Sequence, residues 1–229
     1  MNQLDQEIIE LLDILKSEWN VVFDSLEKAK SISTNTESND DRTAKKIEKK
    51  INKLDRKIEK KCELILALLN PLAIDLRKVI GAIHISVYLE RIGKLAYLIS
   101  KDAEQNKLIL ENEIGTAISK IFDEIMIELK MALEALESDN SDIARIVFKD
   151  EYELAANCQV LKLKILSNTT TYDNTNILAY DIVSKLELMS NHTALLTDQI
   201  IYILEAKYLK HKKLEKKLEN GRLEEDTEN

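Results

Sequence analysis

Apolar residues recur at alternating spacings of three and four along nearly the whole chain, the signature of helices that bury one face. Leu4, Ile8, Leu11, Leu15, Trp19, Val22, Leu26 and Ala29 form the first stripe, which fades into the polar stretch SISTNTESNDD at 31–41. Ile47, Ile51, Leu54, Ile58, Cys62, Ile65 and Leu69 form the second. Asn70-Pro71 interrupts the pattern; Asn suits an N-cap and Pro a first helical position, which predicts a third helix from about Pro71 to about Lys101. A fourth helix carries Ile114, Ile118, Ile121, Ile125, Leu129, Ala132 and Leu136, and stops at ESDNSD. The fifth shows Ile143, Val147, Leu154, Leu161 and Ile165, with Asp150 intruding on its apolar face. After SNTTTYDNTN, a sixth helix is predicted from near Ile177 to about Lys210.

Short connections favour antiparallel neighbours, and sustained three-four spacing favours shallow crossing angles. The third and sixth helices are also alike: YLERIGKLAYLISK (88–101) aligns with KLELMSNHTALLTD (185–198) at a constant offset. The chain therefore reads as all-α, six long helices in two repeated antiparallel three-helix bundles. The first repeat takes 1–108 and the second 109–210, followed by a charged tail at 211–229.

Composition agrees with this. Four glycines and one proline in 229 residues are few, aromatics are 5%, and a 45% apolar share is enough for a substantial core. The formal net charge of −8 argues against a dedicated nucleic-acid binder. One segment runs against that balance, with Lys45, Lys46, Lys49, Lys50, Lys53, Lys57, Lys60 and Lys61 crowded together; a solvated helix face accounts for it. Cys62 and Cys158 lack CxxC spacing and read as two buried thiols in a reducing compartment. The acidic start, without a basic n-region, and the absence of a long uninterrupted apolar run predict a cytoplasmic protein.

Catalytic chemistry is thin. There is no GxSxG, no P-loop and no nucleophile paired with a base, so no enzyme is expected. His84 reads as a satisfied interior histidine, His192 as a polar surface residue, and neither stands at a zinc spacing. Gly93 is costly inside a helix, by about 1 kcal/mol relative to alanine, so either a close approach is needed at this turn or the glycine is inherited from a relative that needed one.

The segment NPLAIDLRKVIGAIHISVYLERIGKLAYLIS (70–100) carries DLR at 75–77 and LERIG at 89–93, and in this it resembles the PhoU family. IIYILEAKYLKHK (200–212) is similar to that family's closing segment. The resemblance implies two three-helix repeats and a regulatory adaptor rather than an enzyme. Such an adaptor negatively regulates phosphate uptake and phosphate-starvation signalling by binding a phosphate ABC transporter and a sensor histidine kinase, and is peripheral to the membrane through those partners. A homodimer is compatible with the sequence. Alternatives are a regulator of a sodium–phosphate cotransporter or other anion carrier, or a structural helical scaffold.

The resemblance also implies acid-x-x-x-acid motifs that bind metal ions, since carboxylates four apart share a helix face and hard cations take several oxygens. The first acids fall on Glu48, Glu90, Asp150 and Glu187, but their partners fall on Asn52, Lys94, Leu154 and Asn191. With every motif incomplete, no metal or other cofactor is expected. Glu90 and Lys94 stand in the favoured order for an i,i+4 pair, so Lys94 is expected to neutralise Glu90. Asp75, Arg77, Glu90 and Arg91 remain candidates for partner contact or structural pairing; Asp75 also suits the positive end of the third helix's dipole.

Overall fold

A computed structural model describes residues 2–34, 41–106, 108, 110, 113–167 and 174–209. Six helices follow one another: α1 (Gln3–Ser33), α2 (Asp41–Leu68), α3 (Ala73–Gln105), α4 (Glu113–Glu137), α5 (Ser141–Ser167) and α6 (Asn174–Glu205). Among the described residues there is no strand. The expected charged tail at 211–229 lies outside the described residues.

The helices begin and end where local chemistry lets them. Asn2 caps α1 through a capping box: its side chain accepts from the Asp5 N–H at 2.8 Å, and Asp5 returns a bond to the Asn2 N–H at 3.0 Å. Asn70, Asp139 and Ala206, just past α2, α4 and α6, all have positive φ, the left-handed stop that ends many helices. This corrects the expected start of the third helix. Asn70, at φ 45°, closes α2 instead of capping α3, and Pro71 follows as residues after a helix stop often do. Helix α3 starts at Ala73, behind Leu72, which makes no side-chain cap bond. Its other end runs to Gln105, past the expected Lys101, while α6 is shifted to 174–205.

Helices α1, α2 and α3 pack on one another, as do α4, α5 and α6. The two units meet where α3 lies along α6, with α1 also touching α4. One continuous core fills both, from Leu11, Trp19 and Leu26 through Ile92 and Phe122 to Leu186 and Ile200. Every stripe residue expected of α1 is buried except Leu4, which is half-buried. In α5 the expectation fails at one place. Asp150 is exposed, so the buried face of that helix runs through Val147, Leu154, Cys158, Leu161 and Ile165 without an acid on it.

Two glycines let α3 pack closely on both sides. A Cβ on Gly93 would stand 2.3 Å from Ile51 Cδ1 of α2, and one on Gly81 would stand 2.4 Å from Ile203 Cδ1 of α6. The close approach expected at Gly93 is therefore made by a buried isoleucine side chain. Both thiols are buried and free as expected, with burial pushing each up to about 12.

Candidate functional site

The LERIG turn of α3 faces two neighbours at once. Toward α2, Lys94 Nζ lies 2.5 Å from Glu48 Oε1, an ion pair across the helix seam, and sits over the Tyr97 ring at 5.6 Å. The expected Glu90–Lys94 pair is thus not formed: the longer reach of lysine goes to the neighbouring helix. Glu90, half-buried, feels burial and the Asp55 charge, which together hold its carboxyl above the ordinary range despite Lys94 and Arg91. Arg91 is exposed, with its guanidinium 5.8 Å from the Tyr88 ring centre. Tyr88 stacks on His192 of α6, ring centres 5.9 Å apart.

His84 and His192 each depart from expectation. His192 is half-buried, its Nδ1 has no hydrogen-bond partner, and burial with the nearby Arg91 charge keeps its pKa below the ordinary value. His84 is exposed, because the α3 face it occupies is not covered by another helix.

In the second repeat, Glu187 is held by α5. Lys162 Nζ lies 2.6 Å from its Oε2, and Gln159 Nε2 donates to its Oε1 at 2.6 Å. Lys162 is itself buried, so this ammonium is part of the helix seam. Asp150 lies apart from that pair, beside a shallow cleft with Glu124, Glu128 and Glu153. At the far end of the bundle, Arg77 Nε donates to the Ile203 carbonyl at 3.0 Å, placing a cation at the negative end of α6. Asp75 stands half-buried in the first turn of α3.

A sequence model of the PhoU domain matches residues 15–103, the segment that carries α1 to α3 and the LERIG turn. That stretch of the chain is similar to the PhoU domain. The fold is also shared with solved PhoU structures. PhoU from Pseudomonas aeruginosa superposes with a TM-score of 0.83 at 19% identity, over 90% of this chain and 100% of that one. The phosphate transport system regulatory protein PhoU from Streptococcus pneumoniae gives 0.77 at 22% identity, over 90% and 99%. No functionally curated protein matches the sequence.

Metal binding implied by the PhoU resemblance can be tested against the donors present. Glu48 and Glu187, one motif acid in each repeat, each hold a lysine ammonium at 2.5–2.6 Å. A divalent ion there would have to displace that ammonium and then meet its charge. Among the described residues no three His, Cys, Asp or Glu side chains are grouped to hold an ion. Among the described residues, the donor set of this chain does not fit a metal cluster.

A group that sequence reasoning missed sits inside the first repeat. Glu18 of α1 is fully buried, and Ser86 Oγ of α3 lies 2.7 Å from its Oε2 and 3.0 Å from Asp55 Oδ1 of α2. One hydroxyl carries one proton, so it cannot donate to two carboxylates. Burial pushes Glu18 up to about 9, with the Asp55 and Glu90 charges adding to it against the Ser86 hydrogen bond. Burial therefore favours the neutral carboxyl at pH 7; in that form Glu18 keeps its proton and its O–H can donate a hydrogen bond to Ser86 Oγ, leaving the Ser86 hydroxyl to donate to Asp55. The signal was present: Glu18 lies between Leu15 and Val22, on the buried side of the α1 stripe.

Proposed function

We propose that this chain is a PhoU-family regulatory adaptor that restrains phosphate uptake and phosphate-starvation signalling by docking on a phosphate transporter and a sensor histidine kinase. The observation that carries this reading is the PhoU domain over residues 15–103, supported by the fold shared with a phosphate transport system regulatory protein. The mechanism is binding without turnover. A docked helical bundle shifts its partner between conformations only through a difference in affinity for them. The ion pairs Lys94–Glu48 and Lys162–Glu187 join α2 to α3 and α5 to α6 across the helix seams, an arrangement that suits that task. Arg91, exposed and near the Tyr88 ring that stacks on His192, presents a charge next to the α3–α6 seam.

Affinity capture of the full-length chain from its own host tests the partner assignment. Recovery of phosphate-transporter subunits or the kinase, reduced by Arg91→Ala, supports it. Recovery of neither, from membranes in which both proteins are present, contradicts it.

A further inference from the structure

Helix α2 carries a second surface that the reading above does not use. At about 100° per residue, the face centred on Lys53 takes in Lys46, Lys49, Lys57 and Lys60, with Lys50 and Arg56 at its flanks. All seven side chains are exposed, and none is ion-paired among the described residues. No acid stands on that face: Glu48 and Asp55 turn toward α3, while Glu59 and Glu63 lie to one side. Continuing along the same face, the lysines give way to Leu64, 42% exposed, and Leu68, 70% exposed, and Leu72 in the following turn is 75% exposed. Glu10 and Asp13 of α1 line the cleft beside Lys57 and Lys60, and Glu10 is already paired with Lys61.

Although the chain carries a net charge of −8, these cations are gathered on one face, where they repel one another and present a local positive surface that an anionic partner would complement. The chemistry of the face selects which one. Six of its seven cations are lysines, point charges without the bidentate geometry that reads bases or pairs with particular carboxylates. It carries no aromatic ring on which a base could stack. The stripe runs along a single helix for about 30 Å and ends in exposed leucines, which suits an interface with negative headgroups above and acyl chains below. We propose that the α2 face is a direct docking surface for anionic phospholipid bilayers, with the lysines lying on the headgroups and Leu64, Leu68 and Leu72 entering the interface. This contact is independent of any protein partner and stands or falls apart from the phosphate reading.

Cosedimentation of the full-length chain with vesicles tests it. Phosphatidylcholine vesicles containing phosphatidylglycerol should bring the protein down at low salt, phosphatidylcholine alone should not, and about 0.5 M NaCl should release it. Lys53→Gln/Lys57→Gln/Lys60→Gln should weaken binding about 100-fold, given the contribution of each lysine near a charged surface. Leu64→Ser/Leu68→Ser should weaken it less while keeping the salt sensitivity. These side chains are exposed, and unchanged circular dichroism would show that the variants fold. Equal pelleting with neutral vesicles, or a lysine variant that binds like wild type, overturns the proposal. Wild-type protein that stays in the supernatant with anionic vesicles also overturns it, whether or not duplex DNA or an acidic peptide binds the same face.

Discussion

Replacing Glu18 with Gln removes one titrating proton from the core and little else. The amide keeps the shape of the side chain and can donate to Ser86 Oγ, which in turn donates to Asp55. In the wild type, the folded state holds the Glu18 proton up to about pH 9, whereas an unfolded glutamate releases it near its ordinary 4.5. Between those values the folded state binds more protons than the unfolded state, so stability falls as pH rises. One proton gives a slope of about 1.4 kcal/mol per pH unit. From about pH 6 to about pH 8 the wild type should therefore lose about 3 kcal/mol relative to Glu18→Gln, a sizeable share of a typical 5–15 kcal/mol. Urea unfolding followed by circular dichroism at several pH values measures this directly. With an m-value of about 3 kcal/mol/M, the gap between the two midpoints should widen by about 1 M urea. Parallel midpoint curves would refute the reasoning, since they would mean that Glu18 ionises near its ordinary pKa and donates no hydrogen bond to Ser86.

Gly115→Ala should lower the melting temperature more than Gly93→Ala. A Cβ at 115 would lie 1.6 Å from the Leu110 carbonyl oxygen, which the backbone must move to relieve, whereas at 93 it meets the end of the Ile51 side chain. Thermal scans of both variants check the order. Cys62 and Cys158 should react with a thiol reagent at about pH 8 only slowly in the folded protein and rapidly in denaturant, because both are buried with raised pKa. The chain purified without chelator should hold less than one iron, zinc or manganese per molecule by elemental analysis. Lys94→Asp with Lys162→Gln, which removes both ammonium groups from the motif acids, should raise divalent-ion affinity; stoichiometric metal in the wild type would contradict this.

Helix number, order and buried faces were legible because the three-four period is a direct consequence of helix geometry, and α1 and α2 show it almost without interruption. The boundaries were less so. Asn70 can cap a following helix or close a preceding one, and only its positive φ decides between them. At the site, the acids were found but their partners were not. Lys94 has Glu90 one turn away along its own helix, yet bonds to Glu48 on α2, because pairing across a seam depends on how two helices are rotated against each other. Lys162 was missed for the same reason. His84 and Asp150 were placed inside by stripes that drift at those positions, and both are exposed. Glu18 needed no alignment to find: a charged residue on a buried stripe calls for a partner, and Ser86 is a stripe neighbour of Ala82 and Leu89 on α3.

The adaptor reading is tested most directly by deleting the gene in its own host and measuring phosphate uptake and a phosphate-starvation reporter in phosphate-rich medium. The account predicts that both rise, and that the wild-type gene supplied in trans returns them to the starting level. Uptake and reporter output unchanged by the deletion would contradict it.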